Sequence, residues 1–464
     1  MNSRIEIFLH GQWVPAADIR QLGADRCTVD YLPDYIFADG AVPIALGLPL
    51  EFMPHVVTTP DGGGLEYLDR RPAPFLFDLV PQGKGRKLLL ALLNLQDSDN
   101  MLLPLLLNGA FNPIGNLRID SALKFYGSHK DAGEKEQKSA VLGSSGGFSM
   151  EDMLRKSEGF LDHLSLHSLL AAGTTGVQGV APKFLLAKNS DGRWFADMAL
   201  PDAQTREHWI VKLPRGRAYA DRAVLRNEAA YLLAARACGL RVEADPMLVG
   251  EMLFVKRFDR QVGANGLVRL HQESLASVAG LRGFAPSVDQ ATLLKAIRLH
   301  ASDPLCETIE FLKRDALNMA LRNTDNHARN TALQRLEDGF VRLTPLYDFA
   351  PMFMDPEIIP RNVHWVLDGG RVTQWSRIIE QLEVPDGEKS VIAEAMKEFS
   401  EVVAGLIETG PACGIEPLVM EQCSASIERV ATDLSRIDAA QCTQGLKGEN
   451  HGKKTKRKTP GRGR

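Results

Sequence analysis

Apolar and polar residues alternate through Arg4-Ile5-Glu6-Ile7-Phe8-Leu9-His10-Gly11, the period of a strand with one buried face. Residues 1–80 continue in short runs broken by Pro33, Pro43, Pro49, Pro54 and Gly62-Gly63-Gly64, which predicts strands and turns. From Lys84 to Leu107 the spacing becomes helical. The most apolar segment, Leu88–Leu107, is interrupted by Asp97, Asp99 and Asn100, so it predicts two buried helices and no membrane span. Residues 127–150 are polar and rich in Gly and Ser, the composition of an insert or linker. Met150–Leu170 returns to a helical pattern.

A β-rich stretch follows. Lys183–Lys188 and Arg193–Leu200 flank an Asp191-Gly192 turn, and His208–Leu213 is a third strand closed by Pro214. A helix is expected from about Asp221 to Ala237, with Gly239 as its stop. Met247–Val249 and Leu253–Phe258 complete a β-β-β-α-β-β order. From Gln272 to about residue 440 the pattern is largely helical, with one exception. After a helical run from Phe311 to Leu321 come the strands Thr331–Leu336 and Phe340–Thr344, joined by Glu337-Asp338-Gly339. Asp-Gly between two apolar runs is a strong hairpin signal.

That hairpin carries the candidate chemistry. Asn323-Thr324-Asp325-Asn326-His327-Ala328-Arg329-Asn330 precedes it and Leu346-Tyr347-Asp348 follows it. A hairpin goes out and comes back, so Asp325 and Asn330 should lie near Asp348. Two carboxylates and an amide converging there suit a Mg²⁺–phosphate site. The Asp325–Asn330 spacing and the later Asp348 match the catalytic and metal-binding positions of protein kinases. A divalent-metal nuclease would use the same residue types, and Asp and Asn also favour plain turns. His327 can orient Asp325 or pack beneath the loop.

Three features elsewhere bear on that choice. The loop Gly173-Thr174-Thr175-Gly176-Val177-Gln178-Gly179-Val180-Ala181 precedes the first strand of the β-rich stretch, where backbone amides can approach an anion. Lys212 sits in the apolar strand Trp209–Leu213, and a buried lysine needs an anion; an edge-strand lysine is the alternative. Glu228 on the next helix can pair with it or face solvent. A nuclease leaves the loop and Lys212 without a purpose.

Composition narrows the class further. The chain has 464 residues, 44% hydrophobic and 24% charged, as ordinary globular proteins do. A net charge of -4 argues against a protein that coats nucleic acid or a membrane surface. The six cysteines form no CxxC pair, so neither a zinc ribbon nor a disulfide framework is indicated, and a reducing cytoplasm is expected. No signal peptide is read at the N-terminus. The last twelve residues carry seven Lys or Arg side chains, a tail suited to solubilisation or to nucleic-acid contact.

These residues together resemble the HipA family, Ser/Thr protein kinases that act as toxins of bacterial toxin–antitoxin modules. The resemblance runs through Leu9-His10-Gly11, Leu46–Leu50, Phe77-Asp78-Leu79-Val80-Pro81-Gln82-Gly83 and Asn112–Arg118. It continues through Gly176-Val177-Gln178, Pro182-Lys183, Ile210–Pro214, Asn227-Glu228, Val255–Arg260, His271-Gln272-Glu273, Asn323–Asn330 and Tyr347-Asp348. It implies an α+β, bilobal, phosphatidylinositol-kinase-like fold. The expected units are 1–125, an N-terminal α/β subdomain; 126–165, a polar insert and linker helix; 166–265, the small lobe; 266–445, a helical large lobe; and 446–464, a basic disordered tail.

It also implies roles: Asp325 catalytic, Asn330 and Asp348 on Mg²⁺. Lys212, Gly176, Val177, Gln178, Lys183 and Glu228 would serve ATP, with Val255, Lys256 and Arg257 as the segment receiving adenine and His327 in support. A protein substrate is expected, with an aminoacyl-tRNA synthetase as one candidate. So is a HipB-like antitoxin through which DNA is reached indirectly. The sequence departs from the family where Gly179-Val180-Ala181 separates the glycine loop from Pro182-Lys183. It departs again where Thr174 and Thr175 replace the serines that autophosphorylation modifies, so Thr175, then Thr174, is the expected switch. A degenerate binding module and a small-molecule kinase are the other readings this pattern allows.

Overall fold

The computed structural model describes residues 2–52, 71–136, 147–155, 182–264, 266–283 and 287–438. The glycine loop with Thr174, Thr175, Gly176, Val177 and Gln178, residues 137–146 of the 127–150 stretch, residues 156–170 of Met150–Leu170 and the basic tail lie outside them.

The alternating N-terminus forms β1 (Asn2–Leu9), which pairs antiparallel with β2 (Gln12–Gln21) and with β4 (Leu117–Ile119). With β3 (Cys27–Tyr31) the sheet order is β3-β2-β1-β4. Ile5 and Ile7 point inward and are fully buried, as the period of two demands. They meet the helices Gly83–Leu92 and Leu102–Gly109, the two halves of the apolar segment. Among the described residues no helix is long and apolar enough to cross a membrane.

The second unit is a five-stranded sheet in the order β6-β5-β7-β9-β8, from β5 (Lys183–Asn189), β6 (Trp194–Ala196), β7 (Thr205–Lys212), β8 (Met247–Val249) and β9 (Met252–Lys256). Phe148 and Trp194 exchange backbone hydrogen bonds, and Met153 is buried in the core of this sheet. The strand expected over Arg193–Leu200 stops at Ala196. Asp197 turns inward to His208 Nδ1 at 2.6 Å and Arg257 Nη1 at 2.9 Å, and the chain coils into a short 3-10 turn. The helix Tyr219–Ala237 follows β7. It ends where Gly239, at φ +82°, donates to Arg236 O and Leu240 donates to Ala235 O, the paired bonds of a Schellman stop.

The third unit is built on the helix Pro304–Ala320, against which Asp386–Ala404 and Pro417–Ser435 pack in one large apolar core. A three-stranded sheet joins the strand His271–Ser274 to Ala332–Arg335 and Val341–Leu343, the last two forming the expected hairpin. Gly339, at φ +85°, closes it in a conformation that glycine adopts without steric cost. A further hairpin, Val363–Leu367 with Gly370–Val372, interrupts the region expected to be helical.

A buried polar knot ties the units together. Gly115 N–H donates to Asp259 Oδ2 at 2.8 Å, and Arg260 Nη1 donates to Gly115 O at 2.6 Å. Gly115 has φ +92°, and a Cβ there would press on the Gln272 backbone at 3.4 Å.

Candidate active site

Antiparallel register sets the first half of the site. Lys183 of β5 lies directly opposite Lys212 of β7, so both side chains leave the same face of the sheet. Lys212 donates to Glu228 on the helix Tyr219–Ala237 and also to Asp348. Lys183 Nζ lies 3.2 Å from Asp348 Oδ2. All four side chains are at most 12% exposed. The two ammonium groups hold the Asp348 carboxyl well below the usual carboxylate range, against a strong push upward from burial. Burial raises Glu228, opposed by the Lys212 charge.

The second half comes from the loop after Pro304–Ala320. That helix stops at Arg322, a non-glycine residue at φ +55°, as Asn323 N–H returns to Asn318 O at 2.9 Å. Asn323 Oδ1 then accepts from Asp325 N–H at 3.3 Å. Asn330 Nδ2 donates to Asp325 O at 2.6 Å, which ties the two ends of the loop. The amide's other atom, Oδ1, is buried without a hydrogen-bond partner.

Asp325, His327, Asp348, Lys183, Lys212 and Glu228 line one cavity of about 310 Å³. Burial, reinforced by the Asp348 charge, pushes the Asp325 carboxyl up to about 7. Arg329 N–H donates to His327 Nδ1 at 3.2 Å, so the neutral ring carries its proton on Nε2, 3.6 Å from Asp325 Oδ1. Burial lowers His327 to about 4. It is a neutral neighbour of Asp325.

Asp348 itself has φ +49°. A non-glycine residue held there is costly, and such strain clusters where a side chain must be aimed.

Val255, Lys256 and Arg257, the segment expected to receive adenine, are not among the residues lining this cavity. Arg257 is fully buried between Asp197 and Asp259, and its N–H goes to His208 O at 2.9 Å. It is neither a surface charge nor a wall of the cavity; it is the centre of the polar knot. Val255 packs on Leu225, Ala229 and Leu253. Lys256 stays at the surface near Glu207. The sequence reading also missed Asp355. It lines the cavity, accepts from Arg215 at 3.0 and 3.2 Å, and adds to the charge that raises Asp325. Its sequence signal, an Asp before Pro356, reads only as a turn.

The donor set fits a hard divalent cation. Among the described residues no three His, Cys, Asp or Glu side chains converge as a closed metal site. Asp348 offers a carboxylate to the cavity, whereas Asn330 is not among the residues lining it and contributes only an orphaned Oδ1 at the end of the loop; such a sparse set leaves most positions open for water and phosphate oxygens, as Mg²⁺ prefers.

This architecture, a five-stranded sheet with a lysine–glutamate pair over a helical lobe with an Asp–Asn loop, is a protein-kinase-like fold. Residues 175–406, half of the chain, match the HipA-like C-terminal domain, and the chain belongs to that family. The whole fold is similar to HipA of Shewanella oneidensis MR-1, solved in complex with HipB and its operator DNA. That match has a TM-score of 0.59 at 17% identity and covers 94% of this chain and 96% of that one. The proinflammatory kinase CtkA of Helicobacter pylori matches over 51% of this chain and 90% of its own, with a TM-score of 0.36 at 12% identity.

Proposed function

We propose that this protein is an ATP- and Mg²⁺-dependent serine/threonine protein kinase of the HipA type, one that restrains growth by phosphorylating a translation-related protein. The observation that carries this reading is the meeting of Lys183 and Lys212 on Asp348, across a cavity from Asp325. Two buried ammonium groups that share one carboxylate suit the phosphate oxygens of a nucleotide. Asp348 and the Asn330 oxygen would hold Mg²⁺, which would neutralise charge on the transferred phosphoryl group. Asp325, raised to about 7, is tuned to accept a proton from a substrate hydroxyl near neutral pH. His327 steadies it.

Autophosphorylation at Thr175, or secondarily Thr174, would place a dianion beside the nucleotide phosphates and switch the enzyme off. A HipB-like antitoxin is the proposed partner, and it would bring the chain to DNA indirectly. The similarity to a HipA solved with HipB and operator DNA supports that pairing.

The decisive experiment is transfer of labelled γ-phosphate from Mg-ATP by the full chain and by Asp325→Asn. Removing the base should lower the rate by about 10²- to 10⁴-fold. Transfer undiminished in Asp325→Asn would sink the reading. Mass spectrometry of the same reaction should find phosphate between Gly173 and Lys183; an active enzyme unmodified there would remove the switch.

A further inference from the structure

Asp78 belongs to the N-terminal unit, in the short 3-10 turn Pro74–Leu79, yet its carboxylate is spent outside that unit. It accepts from Ser274 N–H at 2.9 Å and Ser274 Oγ at 2.7 Å. It also receives Arg329 Nη1, a residue 251 positions later in the chain. The neighbouring Phe77 ring lies 5.7 Å from the same guanidinium. Arg329 is held on its other side by Gly283 O, which accepts from Nε at 3.2 Å and also from Nη2.

Arg329 occupies a sensitive position. It immediately precedes Asn330. Its carbonyl accepts from Tyr347 Oη at 2.8 Å, and Tyr347 immediately precedes Asp348. Its N–H fixes the His327 ring. One backbone unit therefore sits between both proposed metal donors and beside the residue facing Asp325. The guanidinium is not in the cavity with Asp325. It borders a separate space of about 40 Å³ shared with Asp78, Ser274 and Tyr347, about enough for one water molecule. Its work is done on the loop, not on a ligand.

We propose that Asp78 is a positioning residue for phosphotransfer: through Arg329, the N-terminal unit sets the separation and aim of Asn330 and Asp348. This rests on the kinase reading of the site. It assigns the N-terminal unit a direct part in metal binding and makes any displacement of the Pro74–Leu79 turn a change in Mg²⁺ affinity.

The test uses the full chain with Asp78→Asn, which keeps size and removes charge, and Arg329→Lys, which keeps charge and removes the forked contact. Hydrogen exchange of the free protein comes first. Amides of residues 323–331 should exchange about tenfold faster in Asp78→Asn, with the Lys183–Lys212 strands unchanged. Next, the Mg²⁺ concentration for half-maximal phosphotransfer should rise roughly 10- to 100-fold in Asp78→Asn, the range seen when a ligand's supporting partner is lost, and less in Arg329→Lys. A variant that melts earlier but keeps wild-type Mg²⁺ dependence and loop exchange has lost only a structural contact, and that overturns the proposal. If Asp325→Asn retains transfer, the kinase reading fails on its own, while the exchange measurement still decides whether Asp78 holds the loop.

Discussion

Asp325 is poised between two protonation states. Its carboxyl is raised from 3.8 to about 7 by burial and the charge of Asp348. A carboxyl raised on folding binds its proton more tightly in the native state. That contribution to stability is complete below the unfolded value near 4 and is lost as pH rises through about 7. The metal-free protein should therefore melt at a lower temperature at pH 8 than at pH 6, by a free energy of about 1 kcal/mol after solvent screening. Asp325→Asn should flatten that difference. Mg²⁺ should raise the melting temperature more at pH 8, where it need not displace a proton. Differential scanning fluorimetry at both pH values, with and without MgCl₂, checks all three. Equal shifts at the two pH values would place the cation away from Asp325. At this scale the sequence was informative about identity and silent about environment. Asp325, Asn330 and Asp348 stand out by spacing, whereas the burial that tunes Asp325 depends on residues that only the fold brings together.

At the scale of elements, the pair of β7 and the helix Tyr219–Ala237 is held by Lys212, Glu228 and Asp348. Lys212→Met would leave two buried carboxylates with one ammonium between them. Loss of a buried partner costs about 3–5 kcal/mol, and urea unfolding should register it. Glu228→Gln should cost less, because Lys212 keeps Asp348. The hairpin after the Asp325–Asn330 loop gives a smaller, cleaner expectation. A Cβ at Gly339 meets nothing within 4 Å, so Gly339→Ala should cost only the backbone term at φ +85°, about 1 kcal/mol. That turn was legible because Asp338-Gly339 encodes it locally. Asp368-Gly369, at φ +51° and +75°, carries the same signal between Leu367 and Gly370, but it lies in a stretch otherwise helical in pattern, which hides it. Strand ends were less legible: the Arg193–Leu200 run looks extended, and only the inward pull on Asp197 ends it early.

For the molecule as a whole, the joints between units are buried and charged. Arg257 is enclosed by Asp197 and Asp259, and Asp259 reaches Gly115. Arg257→Ala should cost about 3–5 kcal/mol by stranding buried carboxylates, whereas Arg20→Ala, at the exposed pair with Asp30, should cost under about 1 kcal/mol. Because Asn112, Gly115 and Asp78 all contact the other units, calorimetry should show one unfolding transition for the described body. Two well-separated transitions would mean that these joints do not couple the units. None of this could be read along the chain. The partners that tie the N-terminal unit to the others are separated by 85 to 251 positions, and an Arg in an apolar strand looks like any surface cation until its surroundings are assembled.

The pairing of Lys183 with Lys212 also decides where this chain can change length. Side chains alternate along a strand, so one residue inserted within Lys183–Asn189 would turn Lys183 toward the core holding Phe184 and Leu186 and empty its place beside Asp348. The same insertion ahead of Pro182 leaves the register untouched. The extra Gly179-Val180-Ala181 falls on the permissive side of that boundary. Natural relatives and designed variants alike should therefore differ in length before Pro182 and remain of fixed length for the seven residues after it.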